Sequence, residues 1–205
     1  MNNNITEKKE SNITKGIAFS ISLLIVNFIN STLEYFNYEK SWFYSFLATV
    51  TILLTYRVLL SIKTFLNENL NLKTANNYIY ILIFTSIVAG LTNKLLIKNE
   101  NLFESLSSNN FIIVMVGLIT IIIIDFICYY KLASILSKKT NKTALNFSKF
   151  AYTIIVMYPI GLLSIALPIN TAIIGLILTI TPLIFLINGF HIAKKESKRF
   201  NYASK

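Results

Sequence analysis

Apolar residues in this chain fall into six blocks, at 16–33, 42–60, 78–97, 111–132, 150–167 and 171–192, and the sequence turns abruptly polar between them. Within a block the apolar residues run almost without interruption, at neither the helical period of 3.6 nor the strand period of 2. Such a block is suited to lipid on every side rather than to one buried face. Each block approaches the roughly 20 residues with which a helix, rising 1.5 Å per residue, crosses about 30 Å of hydrocarbon. In that medium every backbone amide must be paired within its own segment, which leaves α-helices as the reading. The pattern therefore predicts an all-α polytopic membrane protein with six transmembrane helices. A polar arm at 1–15, disordered or lying on the membrane surface, precedes the helical domain at 16–192, and a basic tail at 193–205 follows it.

Two connections depart from plain loops. Between the second and third blocks, Ile62, Phe65, Leu66 and Leu70 recur at helical spacing with Lys63, Asn67, Glu68 and Asn71 between them. That spacing predicts a short amphipathic helix over 62–70 lying on the cytoplasmic face, with Lys63, Asn67 and Glu68 as a candidate partner-docking surface. Between the fifth and sixth blocks only Pro168, Ile169 and Asn170 are clearly non-helical, which predicts a tight antiparallel hairpin. Its arms carry Pro159, Gly161 and Pro182 near mid-membrane, read as ordinary proline kinks satisfied by neighbouring helices in preference to a functional broken helix. Aromatic residues cluster where the blocks end, Tyr35, Phe36, Tyr38, Trp42, Phe43 and Tyr44 at one side and Tyr78, Tyr80, Tyr129 and Tyr130 at the other, as interface anchors do.

Charge orients this arrangement. Of nineteen Lys and Arg residues, sixteen fall in the N-terminal arm, the second and fourth connections and the tail, and the alternate connections hold only Lys40, Lys94 and Lys98. Lys and Arg accumulate on the cytoplasmic side, so both termini are expected there. The net charge of +10 sits directly beside apolar runs, which assigns it to topology and to anionic lipid head groups rather than to nucleic acid. Seventeen Lys against two Arg, with 34 Ile and 22 Asn, is what A/T-rich codons produce, and it points to a bacterial cytoplasmic membrane. The first block is followed by Asn30-Ser31-Thr32-Leu33, which lacks the small-residue pattern of signal cleavage, so the first helix is expected to remain.

Few residues are equipped for chemistry. Asp125 is the sole aspartate and follows Ile121–Ile124 inside the most apolar block. A charge at that depth costs about 2.5–3.5 kcal/mol on insertion scales and calls for a partner, a proton or a wet cavity. Arg57 has a similar predicted depth in the second block, so an Arg57–Asp125 ion pair is the simplest expectation. Cys128 and Tyr129, at i+3 and i+4 from Asp125, share its helix face, and Asn188 reaches the same inner level. Arg57, Asp125, Tyr129 and Asn188 thus form a candidate intramembrane polar cluster, read either as a structural ion pair or as a proton- or cation-responsive site. A lone Cys128 and a lone His191 are weak grounds for a catalytic dyad, and the zinc, phosphate-loop and serine-elbow motifs are missing from the sequence. No enzymatic activity, metal or cofactor is expected.

In layout the chain resembles the permease subunits of ABC-2-type exporters, which share six spans, cytoplasmic termini and an amphipathic cytoplasmic helix between spans two and three. The resemblance implies a partner ATPase, although a shared architecture says little about function. The expectation is a membrane subunit or accessory protein of a transport, secretion or toxin-immunity system, with a protein partner in the membrane or cytoplasm. The alternative is a self-contained small permease coupled through Asp125.

Overall fold

The computed structural model describes residues 2–36, 38, 41–98, 108–166 and 171–203. These residues form six long helices, α1 (Asn2–Tyr35), α2 (Trp42–Asn69), α3 (Asn76–Lys98), α4 (Ser108–Ser137), α5 (Lys142–Ala166) and α6 (Thr171–Ala203), with one 3-10 turn at Lys73–Ala75 and no strand among the described residues. Five of the helices contain a stretch long and apolar enough to cross a membrane: Glu10–Tyr35, Trp42–Asn69, Lys73–Thr92, Ile112–Ser137 and Leu176–Ser197. Their outward surfaces agree. Phe46, Leu53, Phe84, Ile113, Ile123, Val156, Ile177 and Ile184 are all more than half exposed, an apolar girdle that a water-soluble monomer does not carry.

Each helix packs against its neighbours in sequence, and α6 packs back on α1, so the six close into a ring. Short connections make successive helices antiparallel. Asn12 near the start of α1 donates to Glu68 near the end of α2 (3.0 Å), while at the opposite end Tyr44 of α2 donates to Glu34 of α1. Ser148 of α5 donates to the Ala133 carbonyl of α4 (3.1 Å), and Thr143 of α5 donates to Glu196 of α6 (2.9 Å). One end of the ring therefore gathers the beginnings of α1, α3 and α5 and the ends of α2, α4 and α6. It is the end where Lys63, Lys73, Lys138, Lys142 and Lys194 lie.

The tightest packing is also at this basic end. Phe65, Phe147 and Phe190, from α2, α5 and α6, meet edge to face with ring centres 5.1, 5.0 and 6.2 Å apart, the arrangement that sets the positive edge of one ring against the negative face of the next. Ile13, Ile62, Leu66, Leu132, Leu136 and Leu186 are buried around them. Two glycines let the rings lie on helix backbones: a Cβ on Gly16 would stand 2.6 Å from Phe190, and one on Gly189 would stand 3.1 Å from Phe147.

Three elements differ from the sequence-based expectations. The segment 62–70 is no separate surface helix; it is the last part of α2, whose 28 residues run unbroken. Ile62, Phe65 and Leu66 face the protein core rather than lipid, because α1, α5 and α6 also extend to this level and offer a closer apolar partner. The layout feature shared with the exporter subunits is thus lacking. The helix ends at Asn69, and two residues on Asn71 has a φ of 51°, a left-handed value that Asn tolerates, while the Leu72 amide reaches back to the Leu66 carbonyl (2.9 Å). The polar arm is also helical: α1 starts at Asn2 and buries Ile13 to 2% exposure. Extending an existing helix costs far less than nucleating one, and contacts to α2 and α6 reward it. By the same logic α5 begins at Lys142, capped by the Asn141 side chain on the Thr143 amide (2.7 Å), and α6 continues to Ala203. The predicted turn at Pro168–Asn170 lies outside the described residues.

The glycine contacts give opposite expectations for one substitution. Gly16→Ala should destabilise the protein by about 1–3 kcal/mol, since Phe190 is held by two other rings and cannot yield. Gly117→Ala, where nothing lies within 4 Å, should be neutral or stabilising by up to about 1 kcal/mol from helix propensity. Thermal unfolding in detergent checks both, and equal shifts would contradict the packing.

Candidate functional site

The buried face of α4 is a single stripe at helical spacing, Asp125, Cys128, Tyr129, Leu132, Ala133 and Leu136. It places the one aspartate inside the ring, 9% exposed. Its carboxylate accepts two hydrogen bonds, from the Thr85 hydroxyl of α3 and from the Tyr158 hydroxyl of α5 (3.1 Å). Three helices are joined at one side chain. Thr85 also has the Ile81 and Leu82 carbonyls within reach, at 3.0 and 3.2 Å, yet a hydroxyl owns one proton. With Asp125 ionised that proton serves the carboxylate. With Asp125 neutral the acid donates to Thr85, and the Thr85 proton turns to its own helix.

Of the four residues expected to cluster, the structure brings together Asp125 and Tyr129. Arg57 is exposed, its guanidinium 5.9 Å from the Tyr56 ring centre, and makes no ion pair with Asp125. The cause is rotational. Val58, Leu59 and Ile62 are buried, and at about 100° per residue Arg57 is carried off that face, where its long side chain keeps the charge outside. α3 also stands between α2 and α4 in the ring. Asn188 instead donates to Asn146 (3.3 Å), next to Phe147. Cys128 is buried and His191 exposed, with no hydrogen bond between them.

The polar face offered for docking is engaged within the chain. Lys63 donates to the Tyr80 hydroxyl and lies 4.4 Å from that ring centre, Glu68 holds Asn12, and the Asn67 side-chain oxygen is buried without a hydrogen-bond partner.

Above the three phenylalanines the ring encloses a partly open cavity of about 450 Å³, within the roughly 300–1,000 Å³ typical of small-molecule sites. Leu23 and Asn27 of α1, Thr55, Val58 and Leu59 of α2, and Ile122 and Tyr129 of α4 form part of its wall. Phe150, Ile154, Met157 and Tyr158 of α5, with Leu178, Thr179, Pro182 and Leu183 of α6, complete it. Asp125 is one hydrogen bond behind that wall, through Tyr158. Pro182 matters here because proline has no N–H, so the carbonyl of Leu178, also in the wall, loses its ordinary helical donor. Tyr129 is 8% exposed and lies edge to face on Phe150 at 6.2 Å; its hydroxyl has no hydrogen-bond partner among the described residues.

Neither Thr85 nor Tyr158 was singled out from the sequence as a partner of Asp125. Tyr158 carried a usable signal. Tyrosines belong at membrane interfaces, and one in the middle of a block announces a buried partner for its hydroxyl. No protein-family model, curated protein or solved structure matches the chain.

If the two hydroxyls are what hold Asp125, Thr85→Val and Tyr158→Phe should each cost about 1–2 kcal/mol, and Arg57→Gln less than about 0.5 kcal/mol. A double-mutant cycle of Asp125→Asn with Tyr158→Phe should show coupling of about 0.5–1.5 kcal/mol, and one with Arg57→Gln should be additive. The reverse pattern in thermal unfolding would restore the ion pair.

Proposed function

We propose that this protein is a non-enzymatic, six-span component of the bacterial cytoplasmic membrane, with both termini cytoplasmic, that holds a small apolar-bodied molecule in its interhelical cavity. It acts in transport of such a molecule or in immunity to it. The observation that carries this reading is the cavity. It is bounded by side chains of five helices of one chain, predominantly apolar, with a few hydroxyl and amide groups to fix orientation and a hydrogen-bonded carboxylate behind one wall. The engagement of Lys63 and Glu68 inside the chain favours a protein that works through its own cavity over a subunit docked by that face. The concentration of basic residues at one end of the ring supports the orientation.

Two measurements test the proposal. In a Cys128→Ala background, cysteines at Ser11 and Lys139 should be protected from an impermeant thiol reagent in spheroplasts, and cysteines at Tyr38 and Asn99 should react. Labelling at Lys139 and not at Asn99 would invert the topology. Purified protein in lipid nanodiscs, with no other protein present, should bind the uncharged fluorophore N-phenyl-1-naphthylamine saturably above empty discs. Ile154→Trp, which fills the cavity, should remove that saturable fraction; its persistence would place binding elsewhere and overturn the cavity reading.

A further inference from the structure

We infer that the ligand of this cavity is a lipophilic cation, an ammonium group carried on an apolar or aromatic body; the inference rests on the cavity reading above and specifies its substrate class. Asp125 is an acid inside the ring whose partners among the described residues are two hydroxyls and no cation. The basic side chains nearest in sequence to the wall turn outward, Arg57 over the Tyr56 ring and Lys149 over the Phe185 ring, each at 5.9 Å. When Asp125 is ionised, the hydroxyls donate hydrogen bonds but leave the carboxylate's net charge unneutralised, and in a low-dielectric interior that charge attracts a mobile counter-ion more strongly than it would in water.

The cavity wall is electron-rich on the same side. Because the Tyr158 proton is committed to Asp125, its oxygen is left to present lone pairs, polarised by the carboxylate behind it. Pro182, in the same wall, leaves the Leu178 carbonyl without its helical donor. The faces of aromatic rings attract cations, and Tyr129, Phe150 and Tyr158 bring three such rings to the wall. Tyr129 contributes a nearly buried hydroxyl with no partner among the described residues. Leu23, Val58, Leu59, Met157 and Leu183 line the remainder and suit an apolar body. A neutral hydrocarbon would leave the acceptors and the hydroxyl unpaired, and an anion would meet the carboxylate's repulsion. An ammonium group answers the charge, the acceptors and the rings together.

The test compares benzyltrimethylammonium with neopentylbenzene, which has the same shape and carbon in place of the charged nitrogen. Affinities are measured on the full-length protein in nanodiscs by displacement of N-phenyl-1-naphthylamine. The wild type should bind the cation about tenfold or more tightly than the hydrocarbon. Asp125→Asn should erase that preference, and Arg57→Gln should preserve it. Equal affinity of the wild type for the two probes overturns the inference, as does an unchanged preference in Asp125→Asn. Should that variant not fold, the wild-type comparison decides alone. Saturable binding of the fluorophore without a charge preference would refute the cation and retain the cavity, whereas absence of any saturable binding would remove both.

Discussion

A carboxyl group surrounded by hydrocarbon has to find its hydrogen bonds in the protein, and here that requirement fixes how three helices stand. Asp125 draws its donors from Thr85 and Tyr158, so α4 must present one particular face to the interior, and α3 and α5 must flank it at matching depth. Van der Waals packing alone specifies a helix rotation weakly in lipid, because lipid tails are as apolar as the side chains they replace. One polar residue with two obligatory partners specifies it sharply. The same rotation sets Tyr129 into the cavity wall and leaves Ile123 and Ile127 outward.

The bundle divides by depth. At the basic end the aromatic triangle and its aliphatic surround fill the ring completely, with glycines removing the last side-chain thickness between a helix backbone and a phenyl ring. Further along the axis, residues of medium size and a proline replace the phenylalanines, and the ring stays open at its centre. The cavity therefore lies above a filled end, with the acid behind its wall beside Tyr158.

Much of this was legible in the sequence, and what was not has physical causes. The all-helical fold followed from the uninterrupted apolar blocks, and five of the described helices are long and apolar enough to cross a membrane. The periodicity of Ile62, Phe65 and Leu66 correctly announced a helical face, but a period cannot tell whether lipid or protein covers it. Equal depth suggested Arg57 for Asp125; depth follows from counting residues, whereas facing depends on neighbours that one segment does not reveal. The helical state of the N-terminal arm was hidden for a related reason, because its composition is that of a coil and contacts such as those of Asn12 and Ile13 with other helices hold it in the fold. Tyr158 was readable and overlooked, as a tyrosine out of place in the middle of a block.

The closure of the ring has a consequence for how the protein is made. Successive interfaces from α1–α2 through α5–α6 join helices adjacent in the chain and can form as each hairpin leaves the ribosome. The contact of α6 with α1 joins the two extremes of the sequence and must wait for the last helix. Until then the Gly16 and Ser20 face of α1 has no protein cover, and Phe190, the residue that will occupy it, is still being synthesised. Biogenesis therefore passes through an open horseshoe, and insertion of the α6 phenylalanine against α1 seals the ring.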